Sequence, residues 1–184
     1  MECSHLLRQT ITAETKNVRL YELGNIYLPK QLPITELPEE RMQFTLGMYG
    51  EGDFFSMKGV VEEFFEKIGM HEKETYDPNA GKTYLHPGRQ ANIIYDGKVV
   101  GYLGEVHPEV ADTYGIGERA YVAVLDMPEI IPYATFDRKY TGIAKYPAVT
   151  RDISMVVPKE ILVGQIEDVI EKKRRSISGK LCTV

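Results

Sequence analysis

The sequence predicts an α+β fold, an antiparallel sheet flanked by helices, and three observations carry that expectation. Residues 91–106, ANIIYDGKVVGYLGEV, hold two β-rich runs around Asp96-Gly97, the dipeptide that best accepts the positive φ angles of a tight type I′ hairpin turn. Further runs of β-branched and aromatic residues recur at 18–28, 42–49 and 120–127, the composition of strands. One strongly amphipathic segment follows Asp53, and a helix with a single apolar stripe needs a sheet face to bury it.

Taken in order, VRLYELGNIYL at 18–28 reads as a strand running into Pro29 and Pro33, with Gly24 marking a bulge or a close backbone approach. Three prolines, Pro29, Pro33 and Pro38, make 29–41 an irregular loop, and a second strand follows at Met42–Tyr49. The helix after Asp53 takes Ser56 as its N-cap. It sets Met57, Val60, Val61, Phe64, Phe65 and Ile68 on one stripe and ends at Gly69, where a left-handed residue is wanted. Beyond the hairpin, a short helix is expected at Pro108–Tyr114, because proline suits a first helical turn. Ala120–Met127 is a buried strand. The pattern loosens between Pro128 and Pro147, then resumes as a strand over Val149–Val157 and an amphipathic helix from Val163 to Lys173 carrying Ile166, Val169 and Ile170. The expected organisation is a module over 1–130, a linker over 131–147 and a second domain over 148–184.

The chain has 184 residues, 43% hydrophobic and 27% charged, which excludes disorder and collagen. Two cysteines, Cys3 and Cys182, fit neither metal-ligand spacing nor a disulfide scaffold. No apolar run approaches the ~20 residues of a membrane span, and the first residues lack the order of a signal peptide. The expected place is therefore the cytoplasm, with no membrane association and no metal site. The net charge of −5 is unevenly spread, with −10 over residues 1–137 and +5 from Arg138 onward. An acidic body with a basic end hints at an anionic partner for the end alone.

Several residue groups are candidates for chemistry. Glu105 and His107, two apart on an expected strand, point the same way as an acid/base pair would. They lack a nucleophile or metal partner, and a Glu-Val-His-Pro corner that fixes a strand-to-helix turn is favoured. His86-Pro87-Gly88-Arg89 joins a titratable ring, a rigid turn and a guanidinium suited to a carboxylate or phosphate. Without a phosphate loop elsewhere, a structural or interface role is favoured. Gly115-Ile116-Gly117-Glu118-Arg119 is read as a tight turn, since it precedes a strand and lacks the third glycine of a dinucleotide fingerprint. Lys172-Lys173-Arg174-Arg175 suits phosphate contacts and equally suits a helix C-terminus stabilised by cations. Both readings stay open.

Five motifs in order, VRLYELGNIY at 18–27, DFFSMKGVVE at 53–62, YLHPGRQA at 84–91, VGYLGEVHP at 100–108 and YPAVTRDIS at 146–154, resemble the C-terminal part of the bacterial phenylalanyl-tRNA synthetase β subunit. The resemblance implies a module folded like a class II aminoacyl-tRNA synthetase core, lacking catalysis and packed beside the α subunit that holds the active site. A working class II enzyme carries an ATP-gripping arginine shortly after the strand that 18–27 resembles; this chain reads Leu28-Pro29-Lys30. The resemblance further implies a ferredoxin-like (β-α-β) anticodon-binding domain, of which 148–184 spans the first half. From it come the expected tRNA contacts Arg151, Lys172, Arg174 and Arg175, chosen mainly by charge, and a structural or interface place for His86, Arg89, Glu105 and His107. The implied partners are the α subunit, in a parent of two α and two β subunits, and phenylalanine tRNA. ATP and Mg²⁺ are implied for the parent and no cofactor for this segment.

The opening before Asn17 and the ending SISGKLCTV depart from the family pattern. An excised piece, or one lacking internal segments, is therefore expected. Half a ferredoxin-like domain exposes unpaired strand edges, so residues 149–184 are expected to pair with another copy or with the main sheet. Two rival readings are a free-standing synthetase-like adaptor with a small-molecule pocket near His86, Arg89 and His107, and a hydrolase using Glu105 and His107.

Overall fold

A computed structural model of the chain describes residues 17–70, 74–137 and 152–173. Six strands form one sheet: β1 (Val18–Leu28), β2 (Glu39–Tyr49), β3 (Thr75–Asp77), β4 (Leu85–Tyr95), β5 (Lys98–Val106) and β6 (Ala120–Asp126). They lie in the order β1-β2-β6-β5-β4-β3, each pair antiparallel. Asp96 and Gly97 turn β4 into β5 with φ of 48° and 74°, as the hairpin expectation requires.

Helix α1 (Phe54–Lys67) covers one face of the sheet. Its N-cap is Asp53 and not Ser56: the Asp53 carboxylate accepts from the Ser56 backbone N and hydroxyl, both at 2.8 Å. These two bonds, the backbone one foremost, hold the carboxyl below its ordinary range. An aspartate at this position accepts from the third residue onward, which is where Ser56 sits. Gly69 takes φ 78°, and a Cβ there would lie 1.9 Å from the Thr135 carbonyl oxygen. Met57, Val61 and Phe65 are buried. Val60 is 39% exposed, because the stripe in contact with the sheet is narrower than the six positions expected.

The main core joins α1 to Leu46, Met48, Ile93, Leu103, Ala123 and Leu125 of the sheet. A chain of rings crosses it: Tyr21–Phe44 at 6.0 Å, Phe44–Phe64 at 5.1 Å, Phe64–Phe65 at 6.0 Å, Phe65–Tyr95 at 6.2 Å and Tyr95–Tyr133 at 5.0 Å. A smaller cluster of Val18, Tyr49, Ala111, Ile116 and Ala120 gathers around helix α2 (Pro108–Thr113), which begins on proline as expected. Helix α3 (Met127–Ile130) and a 3₁₀ turn (Ile131–Tyr133) stay with this body. Ile130 is fully buried and Thr135 N donates to the Ile68 carbonyl.

Two further expectations are corrected. The β1–β2 register runs unbroken through Gly24↔Gln43, and a Cβ on Gly24 would meet only Glu22 Oε1 at 3.9 Å. Gly24 therefore marks neither a bulge nor a close approach. The loop expected over 29–41 ends early, since Glu39, Glu40 and Arg41 pair with Leu28, Tyr27 and Ile26 and lengthen the hairpin.

Near the start of β3, Glu74 lies half-buried, and burial first, then its own surroundings of Glu62, push its carboxyl above the ordinary 4.5. Lys58 pairs with Glu62 and stands 4.6 Å over the Tyr76 ring. A carboxyl raised in the folded state loses stability as pH climbs from the unfolded value through the folded one. Glu74→Gln is thus expected to stabilise the chain at neutral pH, with the gain shrinking below pH 4.5. Urea unfolding at the two pH values checks this; an equal gain at both rejects it.

The chain divides into two units at Arg138 and Lys139. In the second, helix α4 (Val163–Lys173) forms where expected, with Leu162 N donating to Gln165 Oε1 before its first turn. The strand expected over Val149–Val157 is not formed in its described part. Residues 152–157 carry no ladder, their side chains are exposed, and all six strands of the sheet come from the first unit. The alternation of Ile153, Met155 and Val157 specifies a strand only where a neighbour supplies the hydrogen bonds.

Candidate functional site

Between Leu85↔Val106 and Gln90↔Gly104 the β4–β5 register is interrupted. Four residues, His86, Pro87, Gly88 and Arg89, bulge from β4 opposite the single residue Glu105. Proline lacks the N–H that a ladder needs, so it belongs in such a bulge. His86 Nδ1 accepts from Gly88 N at 3.1 Å and closes the turn locally. Gly104 lets the bulge lie close: a Cβ there would sit 2.8 Å from the Arg89 carbonyl oxygen and 3.1 Å from Gln90 Cα.

This geometry brings Arg89 onto Glu105. Arg89 Nη1 donates to both carboxylate oxygens at 3.0 Å, and Arg119 Nε stands 3.8 Å from Oε1. Glu105 is 4% exposed, the one buried charged residue among those described. Burying a carboxylate is costly unless cations and hydrogen bonds satisfy it, and here two guanidiniums meet one acid. The paired strand residue Tyr121 lies beside them, its phenol held above the ordinary value by burial and then by the Glu105 charge. It stays a neutral hydroxyl at physiological pH.

A cavity of about 340 Å³ opens beside this cluster, between the bulge, α2 and the loop before β6. Its walls include His86, Arg89, Arg119, Glu118, Asp112 and Ile116. Thus the structure unites three residues singled out from sequence, His86, Arg89 and Glu105. His107 is separated from them: β5 ends at Val106, and the imidazole Nδ1 accepts from Glu109 N at 3.3 Å as the N-cap of α2. The acid/base pair with Glu105 does not form, because the strand alternation that would align them stops before His107. The sequence reading placed Arg119 in a tight turn and gave Tyr121 no role. The local signal was their position around the start of β6, the strand next in sequence after β5.

Elsewhere, Arg41 is the only cation that strand alternation places on the sheet face opposite α1 along β1, β2, β6 and residues 101–106 of β5. It is held by Asp126 at 2.6 Å, Glu129 at 3.1 Å and Glu39 at 3.9 Å, and its hydrogen bond to Asp126 raises its pKa further. On the β1–β2 loop, Lys30 pairs with Glu36 at 3.7 Å. Lys172 lies exposed in the last turn of α4; Arg151, Arg174 and Arg175 lie outside the described residues. No group of His, Cys, Asp and Glu suited to a metal ion occurs among the described residues. No helix among them is long and apolar enough to cross a membrane.

The family model described as the phenylalanyl tRNA synthetase beta chain CLM domain matches residues 4–127. The phenylalanine–tRNA ligase beta subunit of Clostridium acetobutylicum is 42% identical over 163 residues, covering 89% of this chain and 20% of that one. The corresponding subunit of Clostridium tetani is 36% identical over 167 residues, covering 91% and 21%. The Bacillus subtilis subunit is 35% identical over 172 residues, covering 88% and 21%. The chain thus spans about a fifth of the length of the curated relatives it matches. Among solved structures, pyrrolysyl-tRNA synthetase from Desulfitobacterium hafniense superimposes with a TM-score of 0.56 at 12% identity, over 71% of this chain and 46% of that one. That likeness is one of fold alone.

Proposed function

The chain belongs to the phenylalanyl-tRNA synthetase β-chain family, and from that premise we propose that it is a non-catalytic, synthetase-like scaffold within a β subunit of phenylalanine–tRNA ligase. The parent enzyme, in the cytoplasm, joins phenylalanine to its tRNA with ATP and Mg²⁺ in an assembly of two α and two β subunits. This segment docks the α subunit and contributes to tRNA binding.

The β1–β2 hairpin carries the reading. Its loop holds no arginine, its one lysine is paired with Glu36, and Leu32, Ile34 and Leu37 on it are 81%, 64% and 88% exposed. The sheet face above it offers Arg41, already committed to three carboxylates. These residues do not fit a triphosphate, which needs several uncommitted cations or backbone donors. They suit an apolar partner surface instead. β1 is an edge strand with Tyr21, Leu23 and Tyr27 exposed, and large apolar side chains left exposed together on one hairpin mark a protein interface.

Mixing the chain with the α subunit and following co-elution by size exclusion tests the proposal. Co-elution is expected, and Leu23→Asp with Tyr27→Glu should abolish it. An α subunit that ignores the chain, or binds the double variant equally, overturns the scaffold reading.

We read 148–184 as the first half of a ferredoxin-like module binding the anticodon stem, with Arg151, Lys172, Arg174 and Arg175 toward phosphates. The order of an apolar alternating segment followed by α4 supports it. Binding of the chain to phenylalanine tRNA and to a non-cognate tRNA at two salt concentrations is the measurement: cognate preference that survives the higher salt is expected, and equal, salt-sensitive binding reduces these residues to nonspecific charge. The free-standing adaptor is not favoured, since the matched relatives are β subunits.

A further inference from the structure

We propose that the cavity beside Glu105 binds a small zwitterion of the α-amino-acid class with an apolar side chain, its carboxylate on Arg89 and Arg119 and its ammonium toward Asp112 and Glu118. The inference stands apart from the scaffold reading, because the cavity is lined by residues of β4, β5, α2 and the loop before β6 and by none of β1.

Three features converge. The volume of about 340 Å³ falls in the range of small-molecule pockets. The cationic side is built in: Glu105 at 4% exposure anchors two guanidiniums and neutralises only one. An arginine carries five N–H donors. Glu105 takes up Nη1 of Arg89 and Nε of Arg119, so the forks keep further donors for a second carboxylate.

The acidic wall decides between ligand classes. Asp112 and Glu118 line the same cavity, and together with Glu105 they outnumber the two arginines. A phosphate dianion or an RNA backbone meets net repulsion there, whereas a molecule with separated opposite charges is matched at both ends. Val106 and Ile116, also in the wall, supply the apolar surface that an aliphatic side chain needs.

An NMR titration of the full chain tests this, following the Ile116 methyl and the amides of 117–119. Leucine is expected to give saturable shifts with a dissociation constant in the millimolar range, while N-acetylleucine and leucinamide, each missing one charge, bind about tenfold more weakly. Inorganic phosphate should bind more weakly than leucine. Arg119→Gln, at a side chain 66% exposed, should weaken leucine about fivefold and lower the melting temperature only slightly. No saturable shift with leucine, equal binding of leucinamide, or tighter binding of phosphate overturns the proposal. The three ligands on the unaltered chain decide it even if the variant folds poorly.

Discussion

Phe65→Ala is expected to lower the unfolding free energy by about 3–5 kcal/mol, the usual cost of deleting a buried aromatic ring. Phe65 is 1% exposed and lies at the centre of the ring chain, 6.0 Å from Phe64 and 6.2 Å from Tyr95. Removing it takes away its own transfer energy and also the facing contacts of Tyr95, which in turn meets Tyr133 beyond the sheet. The helix and the strands it packs on are held in place from several sides, so little collapse can refill the space. Phe65→Leu keeps most of the volume and should cost less than half as much. Urea titration of both variants checks the pair of values; a loss below about 1 kcal/mol for the alanine variant would show that α1 is not what secures this face.

Arg89→Ala is expected to cost about 2–3 kcal/mol, below the 3–5 of a fully buried broken pair because Arg89 itself reaches solvent. Its side chain is 41% exposed while that of Glu105 is 5% exposed. The loss therefore falls on the carboxylate, left with Arg119 at 3.8 Å as its nearest cation. Arg119→Ala, which removes the longer and more exposed contact, should cost well under half as much. Adding Glu105→Gln to Arg89→Ala removes the stranded charge and should recover part of the stability. A double-mutant cycle by urea unfolding measures that coupling; strictly additive losses would mean that the two side chains do not depend on one another. The same cluster shapes the cavity wall, so its stability and any ligand binding share one origin.

Much of this architecture was legible in the residues. Asp96-Gly97 fixed the hairpin because only a few residue types accept its positive φ values. The apolar stripe of α1 and the glycine at its end followed from a period that local sterics impose. Pro108 announced α2 for the same reason. Where the reading failed, a local rule met a nonlocal condition. Ser56 and Asp53 both suit an N-cap, and the entry of the chain from β2 selected Asp53. Val149–Val157 alternates like a strand, and its described part, 152–157, forms no ladder.

The site shows the division most clearly. His86, Arg89 and Glu105 were singled out by residue type, but as two unrelated motifs, and His107 caps the strand-to-helix corner that was favoured for it. Their union depends on a four-residue bulge facing one residue, on Gly104 leaving room for it, and on β6 lying against β5 so that Arg119 arrives from a distant loop. By itself the sequence determined the α+β class, the long strands and helices of the first unit and the family, because periodicity, turn chemistry and motif order are written within a few residues of one another. Strand order, register and the assembly of one acid between two arginines were decided by the tertiary structure, since they depend on which distant backbone groups can satisfy each other's hydrogen bonds once the core has closed.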